Sequence, residues 1–162
     1  MVTLDYKMKL DPLYSREKTV DHYGKRGMSW HGSMIQYYTM GNFEENTAPF
    51  LNKLFLDHIV DNENKKDKLV VISILEIVKL AIRQHLPNIE QILLQSDNAG
   101  CYQNTMLMLL ISYLSYAHGI EIYRIIHTET QDGKSVLETH LARFMQRIIS
   151  WCKEGNNKYS SS

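Results

Sequence analysis

The segment from Gln91 to Asn104, QILLQSDNAGCYQN, constrains this chain more than any other. Ile92 to Leu94 is a short apolar run of the kind that forms a buried strand. It stops at Ser96-Asp97-Asn98, and a new apolar segment begins at Met106. The pattern predicts a strand over 91–95, then a helix over 104–117, with a carboxylate between them. In α/β folds the edge of the sheet where strands end is where ligands and metals bind. Taken alone, Asp97 to Gly100 also fits a plain turn, because Asp, Asn and Gly favour turns.

Two further acids stand at comparable positions. Val2, Leu4, Tyr6, Met8 and Leu10 alternate with Thr3, Asp5, Lys7 and Lys9, which is the period of a half-buried strand with Asp5 on its polar face. Asp5 has a plain reading too, as a cross-strand charge partner. After Gly133, Val136, Leu137, Leu141, Phe144, Met145, Ile148 and Ile149 recur at helical spacing. Glu138 falls in the first turns of that helix, beside the apolar stripe, where it also fits an ion pair with Lys134. Asp132 and Glu129 compete with it for the role of third acid, although Asp132 suits a helix cap.

The rest of the chain fills in the elements. Strands are expected over 29–40 and 51–60. A helix over 68–86 carries the stripe Val70, Val71, Ile74, Leu75, Val78 and Ile82, and Pro87 lies just past its end. A strand over 120–127 follows the helix stop Gly119, and a helix over 134–153 follows in turn. Residues 14–23 fit a short helix, and 154–162 a flexible tail. Three strands with short connections predict an antiparallel meander, and strands separated by helices predict parallel pairing. The expected architecture is therefore α/β: a five-stranded mixed sheet, three strands in a meander and two parallel, flanked by helices. Trp30, His31 and Gly32 are assigned to the core. So is the run Met106, Met108, Leu109, Leu110. Asp57, His58 and His127 are expected to be structural hydrogen-bonding groups, with His127 near the acids.

One acid on the first strand, one after a central strand and one on a late helix resembles the catalytic core of the DDE transposase and retroviral-type integrase superfamily, whose fold is ribonuclease H-like. The resemblance rests on Asp5 in LDYK, Asp97 in SDNAG and Glu138 after Gly133. It spans residues 1–153 as one core, with an insertion at 11–28 that lengthens the interval from Asp5 to Asp97. It implies catalysis by Asp5, Asp97 and Glu138 holding two Mg²⁺ or Mn²⁺ ions, Asp5 bridging them. Lys7 and Lys134 would contact phosphate. The implied reaction is phosphoryl transfer on DNA, as strand nicking or strand transfer. Two other readings use the same sequence: a non-catalytic scaffold of transposase origin that binds protein or nucleic acid, and a ribonuclease H-like nuclease.

Composition limits these readings. The chain has 162 residues, 44% hydrophobic and 22% charged, which suits one globular domain. No apolar run approaches the ~20 residues of a membrane span, and no leader opens the chain, so an intracellular location is expected, nuclear if the source is eukaryotic. The two cysteines, Cys101 and Cys152, do not make a zinc site, and reduced thiols are expected. The 18 basic and 18 acidic residues cancel. Phosphate neutralisation dominates DNA affinity, so the core alone is expected to bind DNA weakly and to depend on a separate DNA-binding domain or chain, with homo-oligomerisation open.

Overall fold

A computed structural model of the chain describes residues 1–10, 28–41, 48–60, 68–97, 100–103, 105–128 and 136–153. Strands β1 (Val2–Leu10), β2 (Met28–Thr39) and β3 (Phe50–Val60) come first. Helix α1 (Lys68–His85), β4 (Gln91–Asp97), α2 (Thr105–His118), β5 (Glu121–Thr128) and α3 (Val136–Lys153) follow. The sheet order is β3-β2-β1-β4-β5. β1 pairs antiparallel with β2, and β2 with β3; β4 lies parallel to β1 on one side and to β5 on the other. This is the expected mixed sheet with its meander, in a ribonuclease H-like layout. Residues 11–27 of the expected insertion, the short helix at 14–23, the tail 154–162, and Lys134, Asp132 and Glu129 lie outside the described residues. Met28, the last insertion residue, already belongs to β2.

Pleat alternation sends successive side chains to opposite faces, and each face of the sheet has its own core. On one, Val2, Leu4, Ile35, Ile92 and Leu94 pack against α1 and α2. α1 contributes Val71, Ile74, Leu75, Val78 and Ile82, all fully or nearly fully buried, as the helical spacing predicts; Val70 lies at the margin. α2 contributes Leu107, Ile111 and Leu114. On the other face, Trp30 and Met34 of β2 pack against Leu137 and Leu141 of α3.

Two core assignments need correction. In α2, Met106, Met108 and Leu109 are 46%, 38% and 66% exposed, and Leu110 is only partly buried. The helix is apolar nearly all round, so periodicity does not mark the buried side, and the sheet receives only one stripe. In α3, Leu137 and Leu141 are fully buried, but Val136 and Phe144 are 45% and 38% exposed. α3 is the one described helix on its face, so the outer part of its stripe overhangs the sheet.

The helical layer is pinned by cations from α1. Lys79 is fully buried, and its Nζ donates to Ser115 Oγ at 3.0 Å and to the Ile120 carbonyl at 2.9 Å. Burial pushes its pKa down to about 8. Arg83 donates to the carbonyls of His118 and Gly119 at 2.9 and 2.6 Å. Gly119 ends α2 at φ +60°, the left-handed conformation that glycine adopts without steric cost.

Gly32 sets the seat of α3. A Cβ there would meet Leu141 at 3.0 Å and Leu137 at 3.1 Å. We therefore expect Gly32→Val to lose roughly 1–3 kcal/mol of stability by overpacking. Gly100→Ala, with nothing within 4 Å of the added carbon, should lose far less. Urea unfolding measures both, and equal stabilities would contradict this seating of α3.

A candidate carboxylate site beside the central strands

The pairing of β1 with β4 aligns Val2 with Leu94, Thr3 with Gln95 and Leu4 with Ser96. Asp5 and Asp97 are the next residue on each strand. In a parallel pair, residues in register share a face. Leu4 and Ser96 are buried on the α1–α2 side, so Asp5 and Asp97 lie on the α3 side. Both are partly exposed. The strand runs two residues further than its hydrophobicity predicts, because β1 pairs with Ser96 and β5 pairs with both Ser96 and Asp97. Asp97 is therefore the last residue of β4.

Glu138 approaches the same side. Across the sheet, Asp57 of β3 aligns with Gly32 of β2, and Gly32 with Asp5 of β1. Leu137 and Leu141 rest on Gly32. His140, on one flank of α3, reaches towards β3 and donates from Nε2 to Asp57 Oδ2 at 3.0 Å. At roughly 100° per residue, Glu138 lies about 160° around the helix from His140. That is the flank towards β1 and β4. Glu138 is exposed. Among the described residues, no three His, Cys, Asp or Glu side chains stand close enough together to hold a metal ion. Asp5 and Asp97 thus follow the last aligned pair of β1 and β4 on one face, and Glu138 stands on the flank of α3 away from His140; among the described residues they do not form a closed three-ligand cluster. Lys7 of β1 aligns with Trp30 of β2, and Lys134 is outside the described residues.

The end of β4 is held by polar contacts on both faces. Ser96 Oγ shares a hydrogen bond of 3.0 Å with His127 Nδ1, and Thr128 Oγ1 donates to the Ser96 carbonyl at 3.3 Å. After Asp97 the chain returns to the core at Tyr102, whose hydroxyl shares a 2.7 Å hydrogen bond with His31 Nε2. Both are almost wholly buried. Burial, and then the neighbouring charge of His58, push the His31 pKa down to about 3, so the ring is neutral at ordinary pH. His58 Nε2 shares a 3.0 Å bond with Ser33 Oγ. Asp57 Oδ1 accepts from Trp30 Nε1 at 3.1 Å, and Phe55 stacks on His140 with centroids 4.3 Å apart. Asp57, His58 and His127 are hydrogen-bonding groups, as expected. The roles of Tyr102 and His140 were not visible in the sequence, since each partner lies more than seventy residues away.

No protein-family model and no curated protein matches the chain.

The His31–Tyr102 pair ties the segment after Asp97 to β2. Tyr102→Phe should cost about 1–3 kcal/mol by leaving a buried ring nitrogen without this hydrogen bond. Faster hydrogen exchange in residues 100–105 would report the loosened segment, and unchanged exchange would contradict the tie. Because the folded pKa of His31, about 3, lies below the ordinary 6.5, the unfolded chain binds the extra proton between those values. Stability is lost as pH falls through that window. The loss between about pH 6.5 and 4 should be smaller in His31→Gln, measured by denaturant melts at each pH.

Proposed function

We propose that the chain is the catalytic core of a metal-dependent enzyme that cuts or joins DNA strands by phosphoryl transfer. The observation behind this reading is the β1–β4 register, whose last aligned pair, Leu4 with Ser96, is followed by Asp5 on one strand and Asp97 on the other, on the face that carries the helix bearing Glu138. Hard carboxylate oxygens suit Mg²⁺ or Mn²⁺. Asp5, Asp97 and Glu138 would hold the ions. Like charges without a counter-ion oppose close approach, which accords with two acids fixed by strands and a third carried on a helix. A pair of divalent ions supplies an activated oxygen nucleophile and charge relief at the leaving oxygen. In this reading the acids would be positioned by Ser96 and Tyr102 at the end of β4 and by Gly32 beneath α3. Lys7 and Lys134 would bind phosphate. DNA would be held mainly by a separate domain or chain.

The absence of a closed three-ligand cluster among the described residues favours a second reading, a scaffold that keeps the fold without the chemistry. One experiment separates them. Labelled duplex DNA and an RNA–DNA hybrid are incubated with the chain and Mn²⁺ or Mg²⁺. Cleavage lost in Asp5→Asn, Asp97→Asn and Glu138→Gln supports the enzyme. Preference for the hybrid assigns the ribonuclease reading, and no cleavage of either assigns the scaffold.

Metal binding is checked separately by thermal melting. Mn²⁺ at about 100 times its Kd should stabilise the wild type by roughly 2.7 kcal/mol. Asp97→Asn should lose that gain while its metal-free melting temperature stays level or rises, since one of two neighbouring like charges is gone. A large metal-free loss would make Asp97 a structural residue.

The DNA grip is tested by salt. Lys18, Lys25 and Arg26 belong to the basic residues that crowd the first 30 positions of a chain of zero net charge. Their joint replacement by Ala should remove most of a weak affinity and flatten its log–log salt slope by about 0.9 for each phosphate no longer neutralised. Tight, salt-resistant duplex binding by residues 1–162 would contradict the need for a separate DNA-binding partner.

A further inference from the structure

We propose that the chain pairs with a second copy of itself through the outward face of α2. Met106, Leu109, Tyr113 and Tyr116 follow one another at intervals of three, four and three residues. That is the spacing of a helix–helix seam. They are 46%, 66%, 68% and 89% exposed, and Met108, at 38%, widens the strip. A surface helix ordinarily turns charged residues to water. α1 turns Glu76 outward among the exposed Leu69, Ile77 and Leu80, and α3 turns out Arg143 and Arg147. The 14 residues of α2 include no Asp, Glu, Lys or Arg.

The area is of the right size. A whole tyrosine side chain offers about 150–250 Å², and Met or Leu somewhat less, so the five residues expose on the order of 600 Å². Two copies would bury roughly 1,200 Å², the lower bound for a specific interface. One copy's share stands at the top of the range for the largest apolar patch usual on a monomer, ~300–600 Å².

The lack of charge favours a second copy as the occupant. At a two-fold axis each residue meets its own twin or a near neighbour, so any charge there would face its like. The α2 strip has none, and it offers a charged partner no counter-charge. α2 covers the sheet face opposite α3, so pairing leaves the Asp5–Asp97 side open. The proposal holds whether or not the chain cleaves nucleic acid.

Sedimentation of residues 1–162 over roughly 1–100 µM tests it. The wild type should be a dimer with a dissociation constant inside that range. Leu109→Glu with Tyr113→Glu should raise the constant at least about thirtyfold, with circular dichroism unchanged. Tyr116→Ser, which removes the most exposed ring without adding charge, should raise it about fivefold. Ile59→Glu, on exposed edge strand β3, should leave it unchanged. A wild type that stays monomeric throughout overturns the proposal, and so does a dimer that survives the double substitution or is lost instead in Ile59→Glu.

Discussion

The parallel contact between β1 and β4 is the joint on which the molecule depends. It is only three aligned residue pairs long, yet it alone joins the meander to the βαβ half of the sheet. So short a ladder contributes little by itself. What specifies it is the pair of cores on either side. Val2, Leu4, Ile92 and Leu94 must all face α1 and α2. A slip of one residue would turn one strand's apolar set towards α3 and carry Asp5 out of line with Asp97. The apolar register and the acidic register are thus one constraint, set mainly by burial.

The two faces of the sheet do different work. The α1–α2 face is continuous and apolar, closed by a buried lysine and an arginine that cap the end of α2. It holds the sheet in one shape. The α3 face is smaller, and its core is four fully or nearly fully buried residues. Beside that core, the two acids and the flank of α3 stay accessible to solvent. A polar constellation is cheaper to keep on such a face, because its groups retain part of their hydration.

Local periodicity made most of the elements legible. The alternation in β1 and the stripe in α1 need no partner to be read. Periodicity failed where the environment was the partner's doing. β4 runs through Ser96 and Asp97 because neighbouring strands supply hydrogen bonds that hydrophobicity does not reveal. α2 hid its buried side because almost every residue in it is apolar. Asp97 and Glu138 were legible as acids at element ends and Asp5 as a polar residue within a strand, but their alignment was not, since it arises from pairing between strands some ninety positions apart. The same holds for His31 with Tyr102 and Asp57 with His140.

Gly32 carries an implication for sequences descended from the same ancestor. Its missing side chain is filled by Leu137 and Leu141, at separations that leave no slack. These three positions behave as one volume shared between a strand and a helix more than a hundred residues away. A lineage that enlarges residue 32 without trimming 137 or 141 must lift α3 off the sheet, and Glu138 rides on that helix. Drift at a glycine with no chemistry of its own would then alter the distance between the third acid and the other two.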